Sequence, residues 1–248
     1  MAEERQLLPE DEIALNAQQK AELLDNLFSV RERIRRACER SGRDPADVRL
    51  IAVSKTKPIP MIEAVNEAGT ADFGENKPQE LMRKCDAISR PLQWHMIGHL
   101  QRNKVKYVVG RACMVHSVDS VRLALALQEE AAKKQVIVPV LIEVNMAGED
   151  TKFGVRPEDA LSLAREIAAL KNLSLRGLMI IAPFTDDPES NRPYFREMRN
   201  LSIDIASKNI DNISMCELSM GMTGDFETAI EEGATMVRVG TGIFGSRY

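Results

Sequence analysis

Aromatic side chains are scarce in this chain of 248 residues: seven Phe, three Tyr and one Trp, 4% in all. That leaves too few flat faces for a single-stranded nucleic-acid groove. No charge of one sign dominates. Lys and Arg number 33 against 37 Asp and Glu, a net charge of −4, and the basic residues are scattered among acids. Nothing in that balance argues for a nucleic-acid partner. No apolar run approaches the length of a membrane span. The start, MAEERQLLPEDE, lacks the apolar segment of a secretory leader. Cys38, Cys85, Cys113 and Cys216 lie far apart with no Cys-x-x-Cys, and read as reduced, mostly buried thiols of a cytoplasmic protein. Gly-x-Ser-x-Gly and His-Glu-x-x-His are absent, as is Gly-x-Gly-x-x-Gly after the first strand. No internal repeat, low-complexity tract or composition shift marks a second domain.

What is present is alternation. Residues 1–20 carry an acidic cluster and one Pro, and read as a frayed or loosely docked arm. Leu24, Leu27, Phe28, Val30, Ile34 and Cys38 then recur at helical spacing over 21–41, ended by Ser41-Gly42 and Pro45. This helix precedes the first strand and is expected to close one end of the sheet structure. Strands are expected at 48–54, 71–74, 92–97, 112–117, 138–144, 174–181, 214–218 and 235–239. Helices fall between them, the one at 157–170 starting on Pro157, a favoured first-turn residue. Eight β/α units in about 200 residues predict an α/β fold, a single (β/α)8 TIM barrel with an extra N-terminal helix. An open doubly wound sheet with fewer strands is the alternative.

Leu50, Ile51, Ala52 and Val53 read as a strand buried on both faces, and the run ends on Lys55. A lysine there needs a partner or a task, and in a parallel barrel that end is where chemistry sits. An amine among apolar walls is a better nucleophile toward an aldehyde. The alternative is a side chain snorkelling into solvent. Other polar residues gather after strand ends: Phe73-Gly-Glu-Asn76, Trp94-His-Met-Ile-Gly-His-Leu-Gln101, Asn145-Met-Ala-Gly148, Leu218-Ser-Met-Gly-Met-Thr-Gly-Asp225 and Arg238-Val-Gly-Thr-Gly242. Loops after strands 7 and 8 are the usual phosphate pocket of such barrels. Their glycines allow backbone approach to an anion, Ser219, Thr223 and Thr241 offer hydroxyls, and a helix from about Gly224 would add its positive end. A Gly-rich turn with a Thr cap is the plainer reading.

His95, His99 and His116 could in principle hold zinc, but they need not share a face. His95 reads better as a polar core or cavity residue, His99 as a loop residue, and His116 as following strand 4. The basic stretch 102–106 reads as a solvated turn. Asp150 to Phe153 reads as a cap or a lid.

These motifs, in order from about residue 20 to the C-terminus, resemble the pyridoxal phosphate (PLP) homeostasis protein family, which is related to the N-terminal barrel of alanine racemase. The matching segments are Ala52-Val-Ser-Lys-Thr-Lys-Pro58, Phe73–Asn76, Trp94–Gln101, Leu218–Met222 and Arg238–Gly245. The resemblance implies a residue 1–20 arm and a 21–248 barrel that binds pyridoxal 5′-phosphate. Lys55 would form the internal aldimine, Ser219, Gly240 and Thr241 would hold the phosphate, and Arg238 would face the pyridine nitrogen. Asn76 and Met220 belong to the same implied cofactor-binding set. The resemblance further implies a carrier or regulator of the PLP pool rather than an enzyme, with weak racemase-type activity on small amino acids as the alternative. A phosphate-sugar enzyme without an aldimine is a third reading. The barrel is expected to end at Tyr248 with no second domain to supply a catalytic tyrosine, and to be a monomer whose candidate recipients are PLP-dependent apo-enzymes. No metal, nucleic acid or membrane is expected.

Overall fold

The computed structural model describes residues 8–149 and 152–245. Its first long element is helix α1 (Ala17–Arg40). The helix starts four residues ahead of the expected 21 because Asn16 and Gln19 form a capping box, each side chain bonding the other's backbone N–H. Its buried stripe is Leu23, Leu27, Val30, Ile34, Ala37 and Cys38. Phe28, expected in that stripe, is 51% exposed.

From there the chain alternates: β1 (Arg49–Val53), α2 (Ile59–Glu67), β2 (Asp72–Glu75), α3 (Pro78–Ala87), β3 (Gln93–Met96), α4 (Val105–Val108), β4 (Ala112–Val118), α5 (Val121–Lys134), β5 (Val138–Glu143), α6 (Pro157–Ala168), β6 (Leu173–Met179), α7 (Arg192–Ser207), β7 (Ile213–Ser219), α8 (Phe226–Glu231), β8 (Met236–Val239) and α9 (Thr241–Phe244). All eight strands are parallel neighbours in chain order, and β8 closes onto β1 with Leu50 opposite Val237 and Ala52 opposite Val239. The closed barrel is therefore observed and the open sheet is not. The short α9 was not anticipated. The basic stretch is helical at its end, where Val105 and Val108 are buried.

Helix α1 does not close an end of the barrel. It packs beside α8, α9 and α2, along the seam where β8 meets β1. α8 has six residues and α9 four, and α1 packs against both. Burying Leu27, Val30 and Ile34 there is worth roughly 1.5–3 kcal/mol each. Of the expected arm, residues 1–7 lie outside the described residues, and the part that follows is held at Asp11. Asp11 is 7% exposed. Its Oδ1 accepts the Ile59 N–H at 2.9 Å, and Arg83 pairs with its Oδ2. Of the four thiols, Cys38 is buried, Cys85 and Cys113 are half-buried, and Cys216 is exposed.

Side-chain alternation along the strands sorts two cores. Ala52, Phe73, Trp94, Val115 and Val140 join the large apolar layer between strands and helices. Ile51, Met114, Leu141, Met179 and Met236 form a smaller cluster inside the barrel. The inward set matters most for function, because its next residues toward the carboxyl ends of the strands reach the mouth.

Candidate functional site

Strand parity puts Lys55 in the mouth. Ile51 points inward, Val53 follows on the same face, and both Val53 and Lys55 line a cavity of about 640 Å³. Thr56 then turns the chain with φ +62°, a conformation uncommon for a β-branched residue. A buried cluster holds that turn. The Thr56 N–H donates to Glu80 Oε1 at 2.6 Å. Lys84, fully buried, donates to Glu80 Oε1 at 2.7 Å, Glu75 Oε1 at 2.8 Å and the Ser54 carbonyl at 2.8 Å. Ser54 Oγ donates to Glu75 Oε1 at 2.7 Å. Burial pushes the Glu75 carboxyl up, against the pull of Lys84. Lys57 leaves the cavity; its Nζ donates to the Phe244 and Gly245 carbonyls at 3.0 and 3.3 Å.

The facing wall comes from the loops after β7 and β8. Gly221 has φ +89°, and a Cβ there would lie 2.6 Å from Ala229 Cβ, so only glycine lets this loop double back onto α8. The Arg238 N–H donates to the Gly221 carbonyl at 3.0 Å, tying the two loops together. Thr223 Oγ1 accepts the Gly242 N–H at 3.3 Å. Met222, Thr223, Gly240 and Thr241 line the cavity. The helix expected from about Gly224 begins at Phe226, and Gly224 and Asp225 just ahead of it line the cavity. Asp225 stands at the start of α8, its Oδ1 accepting the Met222 N–H at 2.6 Å and its Oδ2 the Asn191 amide at 2.8 Å.

Arg238 lies at the cavity floor, 4% exposed. It donates to Ser219 Oγ at 2.6 Å and to the Ile180 carbonyl at 2.8 Å. Burial draws its pKa down to about 10, which leaves it a cation at neutral pH. Glu143 also lines the cavity, and its buried Oε2 has no hydrogen-bond partner. Burial, then the Asp119 charge, raise its carboxyl to about 7, opposed by Arg238. At the rim, His99 stacks on Phe153 with centroids 3.7 Å apart and planes 11° apart. Asn76 sits opposite Gly98, where a Cβ would come within 2.6 Å of the Asn76 carbonyl oxygen; the close approach of these two loops requires glycine.

Of the seven residues implied by the sequence, Lys55, Asn76, Arg238, Gly240 and Thr241 meet in one cavity. Ser219 and Met220 do not line it. Met220 points into the outer apolar layer. Ser219 points inward but one layer too deep, and its hydroxyl is engaged by Arg238 and His116. The structure offers Thr223 as the hydroxyl of that loop. His95 is buried inside the barrel and His99 lies in the loop after β3, as expected. His116, expected after β4, lies within it. No metal-holding group of His, Cys, Asp or Glu occurs among the described residues. Asp150 lies outside the described residues, as does Tyr248. Glu143 was missed, although it ends the apolar run of β5 as Lys55 follows that of β1, and the same signal would have found it. Phe153, Ile181, Phe184 and Asn191 also line the cavity. They come from long loops whose course no periodicity reveals.

This barrel, with a lysine after β1 and an arginine on β8, places the chain in a known class: the family described as "Alanine racemase, N-terminal domain" matches residues 26–248. The pyridoxal phosphate homeostasis protein of Aquifex aeolicus is 45% identical over 224 residues, covering 90% of this chain and 97% of that protein. The chain belongs to the pyridoxal phosphate homeostasis protein family. Among solved structures, an unknown protein from Bifidobacterium adolescentis superposes with a TM-score of 0.88 at 35% identity, covering 96% of this chain and all of that one. PipY of Synechococcus elongatus, solved with PLP bound, gives 0.79 at 32% identity, covering 90% of this chain and all of that one.

Proposed function

We propose that this protein binds pyridoxal 5′-phosphate covalently through Lys55 and acts as a carrier or regulator of the cofactor pool. The observation that carries this reading is the meeting of the Lys55 amine and the Arg238 guanidinium in one cavity with Thr223, Gly240 and Thr241. That donor set fits a phosphorylated pyridine aldehyde. Lys55 is the nucleophile an aldehyde carbon requires. Thr223, Thr241 and the backbone at Gly240 are the donors for a phosphate. Val53 and Ile97 supply apolar walls. The PLP bound to PipY and the names of the relatives support the same assignment.

When bound, this cofactor supplies an electrophilic aldehyde carbon and a ring that can store electrons. Arg238 limits the second property. A guanidinium only donates hydrogen bonds, so beside a ring nitrogen it leaves that nitrogen unprotonated and the ring a poor electron sink. Tyr107 and Tyr194 lie on α4 and α7, and neither lines the cavity. This favours a carrier of the reactive aldehyde over an efficient enzyme. The same reading includes a cytoplasmic monomer, residues 21–248 as the cofactor-binding unit, and PLP-dependent apo-enzymes as recipients. Among the described residues no helix is long and apolar enough to cross a membrane.

One observation favours a second reading, weak racemase-type chemistry on small amino acids. Glu143 is a cavity carboxyl poised at about 7, suited to proton transfer near neutral pH. Incubating cofactor-loaded protein with L- and D-amino acids in deuterium oxide separates the two. Slow α-proton exchange without inversion fits the carrier. Inversion of either enantiomer, even well below the common enzyme range of roughly 1–10³ s⁻¹, would establish the racemase reading instead.

A further inference from the structure

An unbroken chain of buried polar groups runs through the barrel beneath the cavity. Arg238 donates to Ser219 Oγ at 2.6 Å. Ser219 Oγ lies 2.9 Å from His116 Nδ1, His116 Nε2 lies 2.9 Å from His95 Nδ1, and His95 Nε2 lies 2.9 Å from Asp72 Oδ1. Ser219, His95 and His116 are 0% exposed. Asp72 is partly exposed at the opposite, amino-terminal mouth, where Arg49 stands 3.7 Å from the same oxygen and Cys113 Sγ 3.5 Å from His95 Nε2. The inside of such a barrel is ordinarily filled by branched apolar side chains. Two fully buried imidazoles there are costly unless every nitrogen is satisfied.

Donor and acceptor identities fix the direction of this chain. A carboxylate only accepts, so His95 Nε2 carries a proton and donates to Asp72. With His95 neutral, its Nδ1 is bare and must accept, so His116 Nε2 carries a proton. His116 Nδ1 is then bare in turn and accepts the Ser219 hydroxyl, whose oxygen accepts from Arg238. From Ser219 to Asp72 every donor of the chain meets an acceptor. A cationic His95 would break this pattern. His116 would then donate from Nδ1 to Ser219, and the Ser219 hydrogen would lose its acceptor. Burial first, with the charges of Arg238 and Arg49 adding to it, holds the His116 imidazole well below its ordinary pKa, in keeping with a neutral ring.

We propose that Asp72, His95 and His116 are positioning residues: a one-directional relay, both imidazoles neutral with the proton on Nε2, that orients the Ser219 hydroxyl and so fixes Arg238 at the cavity floor. The relay is not a proton path to a ligand, because its cavity end is a guanidinium that holds its protons. Its role toward bound cofactor rests on the function proposed above; its hydrogen-bond pattern does not.

The chain has only three histidines, which makes the pattern directly readable. Nitrogen-15 NMR of histidine-labelled, cofactor-free protein, with His99→Gln assigning the third ring, is expected to show two neutral Nε2–H tautomers for His95 and His116. A protonated ring or an Nδ1–H tautomer at either position overturns the relay. For the cofactor, His116→Gln keeps an acceptor toward Ser219 and a donor toward His95, whereas His116→Met keeps neither. Pyridoxal 5′-phosphate affinity and the absorbance of the bound chromophore should stay near wild type in His116→Gln. In His116→Met affinity should fall by about fivefold, the order expected for a lost hydrogen bond between neutral groups. Wild-type affinity and spectrum in folded His116→Met overturn the positioning role. Loss of cofactor binding by the wild-type protein itself would instead count against the proposed function, with the tautomers still deciding the relay.

Discussion

The ammonium of Lys84 lies 2.8 Å from the carbonyl oxygen of Ser54, one residue ahead of Lys55. Lys84 is on α3, outside the barrel, and its single ammonium also pairs with Glu75 and Glu80. The strained Thr56 turn hangs from the same Glu80 oxygen. The lysine that faces the cavity is thus aimed by another lysine behind the strand. Lys84→Met leaves two carboxylates without their cation, one of them fully buried. It should destabilise the fold by about 3–5 kcal/mol, the usual cost of breaking a buried pair by removing one partner. The loss should shrink in acid, where Glu75, already pushed up by burial, takes a proton. Urea denaturation of the cofactor-free protein measures it, and a loss below about 1 kcal/mol, as for an exposed pair, would contradict the account.

The hydroxyls that hold an anion should be those of Thr223 and Thr241. Thr223→Val and Thr241→Val are each expected to weaken pyridoxal 5′-phosphate binding by about 1–3 kcal/mol. Ser219→Ala should act differently, by loosening Arg238, and so shift the bound chromophore's absorbance as well. Titration followed by absorbance distinguishes them. Unchanged affinity in the Thr223/Thr241 double variant would place the anion elsewhere.

Much of this site was legible because charged residues ended apolar runs. Lys55 follows the apolar run that ends at Val53, the role of Arg238 came from the family resemblance, and the closed barrel followed from counting apolar runs. Ser219, implied by the resemblance, points inward beneath Arg238 and does not line the cavity; the depth of a residue inside the barrel is not legible from one segment. The capping box at Asn16 and Gln19 was readable and was overlooked. The hold of Asp11 on Ile59 and Arg83 was not readable, since those residues are far apart in sequence and nothing local signals the contact. The chain through His95 and His116 depends on two strands' registers at once, which no single segment encodes.

Glu143 should make stability depend on pH in a recognisable way. Its carboxyl has an ordinary value of 4.5 and is raised to about 7 in the folded protein. The native state therefore holds this proton more tightly than the unfolded state. The stabilisation is fully present below the unfolded value and is lost as pH rises through about 7. Relative to Glu143→Gln, the wild-type protein should lose up to about 3 kcal/mol across that window, at 1.36 kcal/mol per pKa unit. Denaturation of both cofactor-free proteins at several pH values tests this, and a difference that does not change with pH would contradict it.

The central claim is that Lys55, and not its neighbour Lys57, carries the cofactor. Lys55 lines the cavity, whereas Lys57 Nζ is turned to the Phe244 and Gly245 carbonyls. The most direct measurement is borohydride reduction of the protein saturated with pyridoxal 5′-phosphate, followed by peptide mass mapping. The account predicts a single reduced adduct on Lys55, retained in Lys57→Ala and absent in Lys55→Ala. An adduct on Lys57, or no adduct at all, would contradict it.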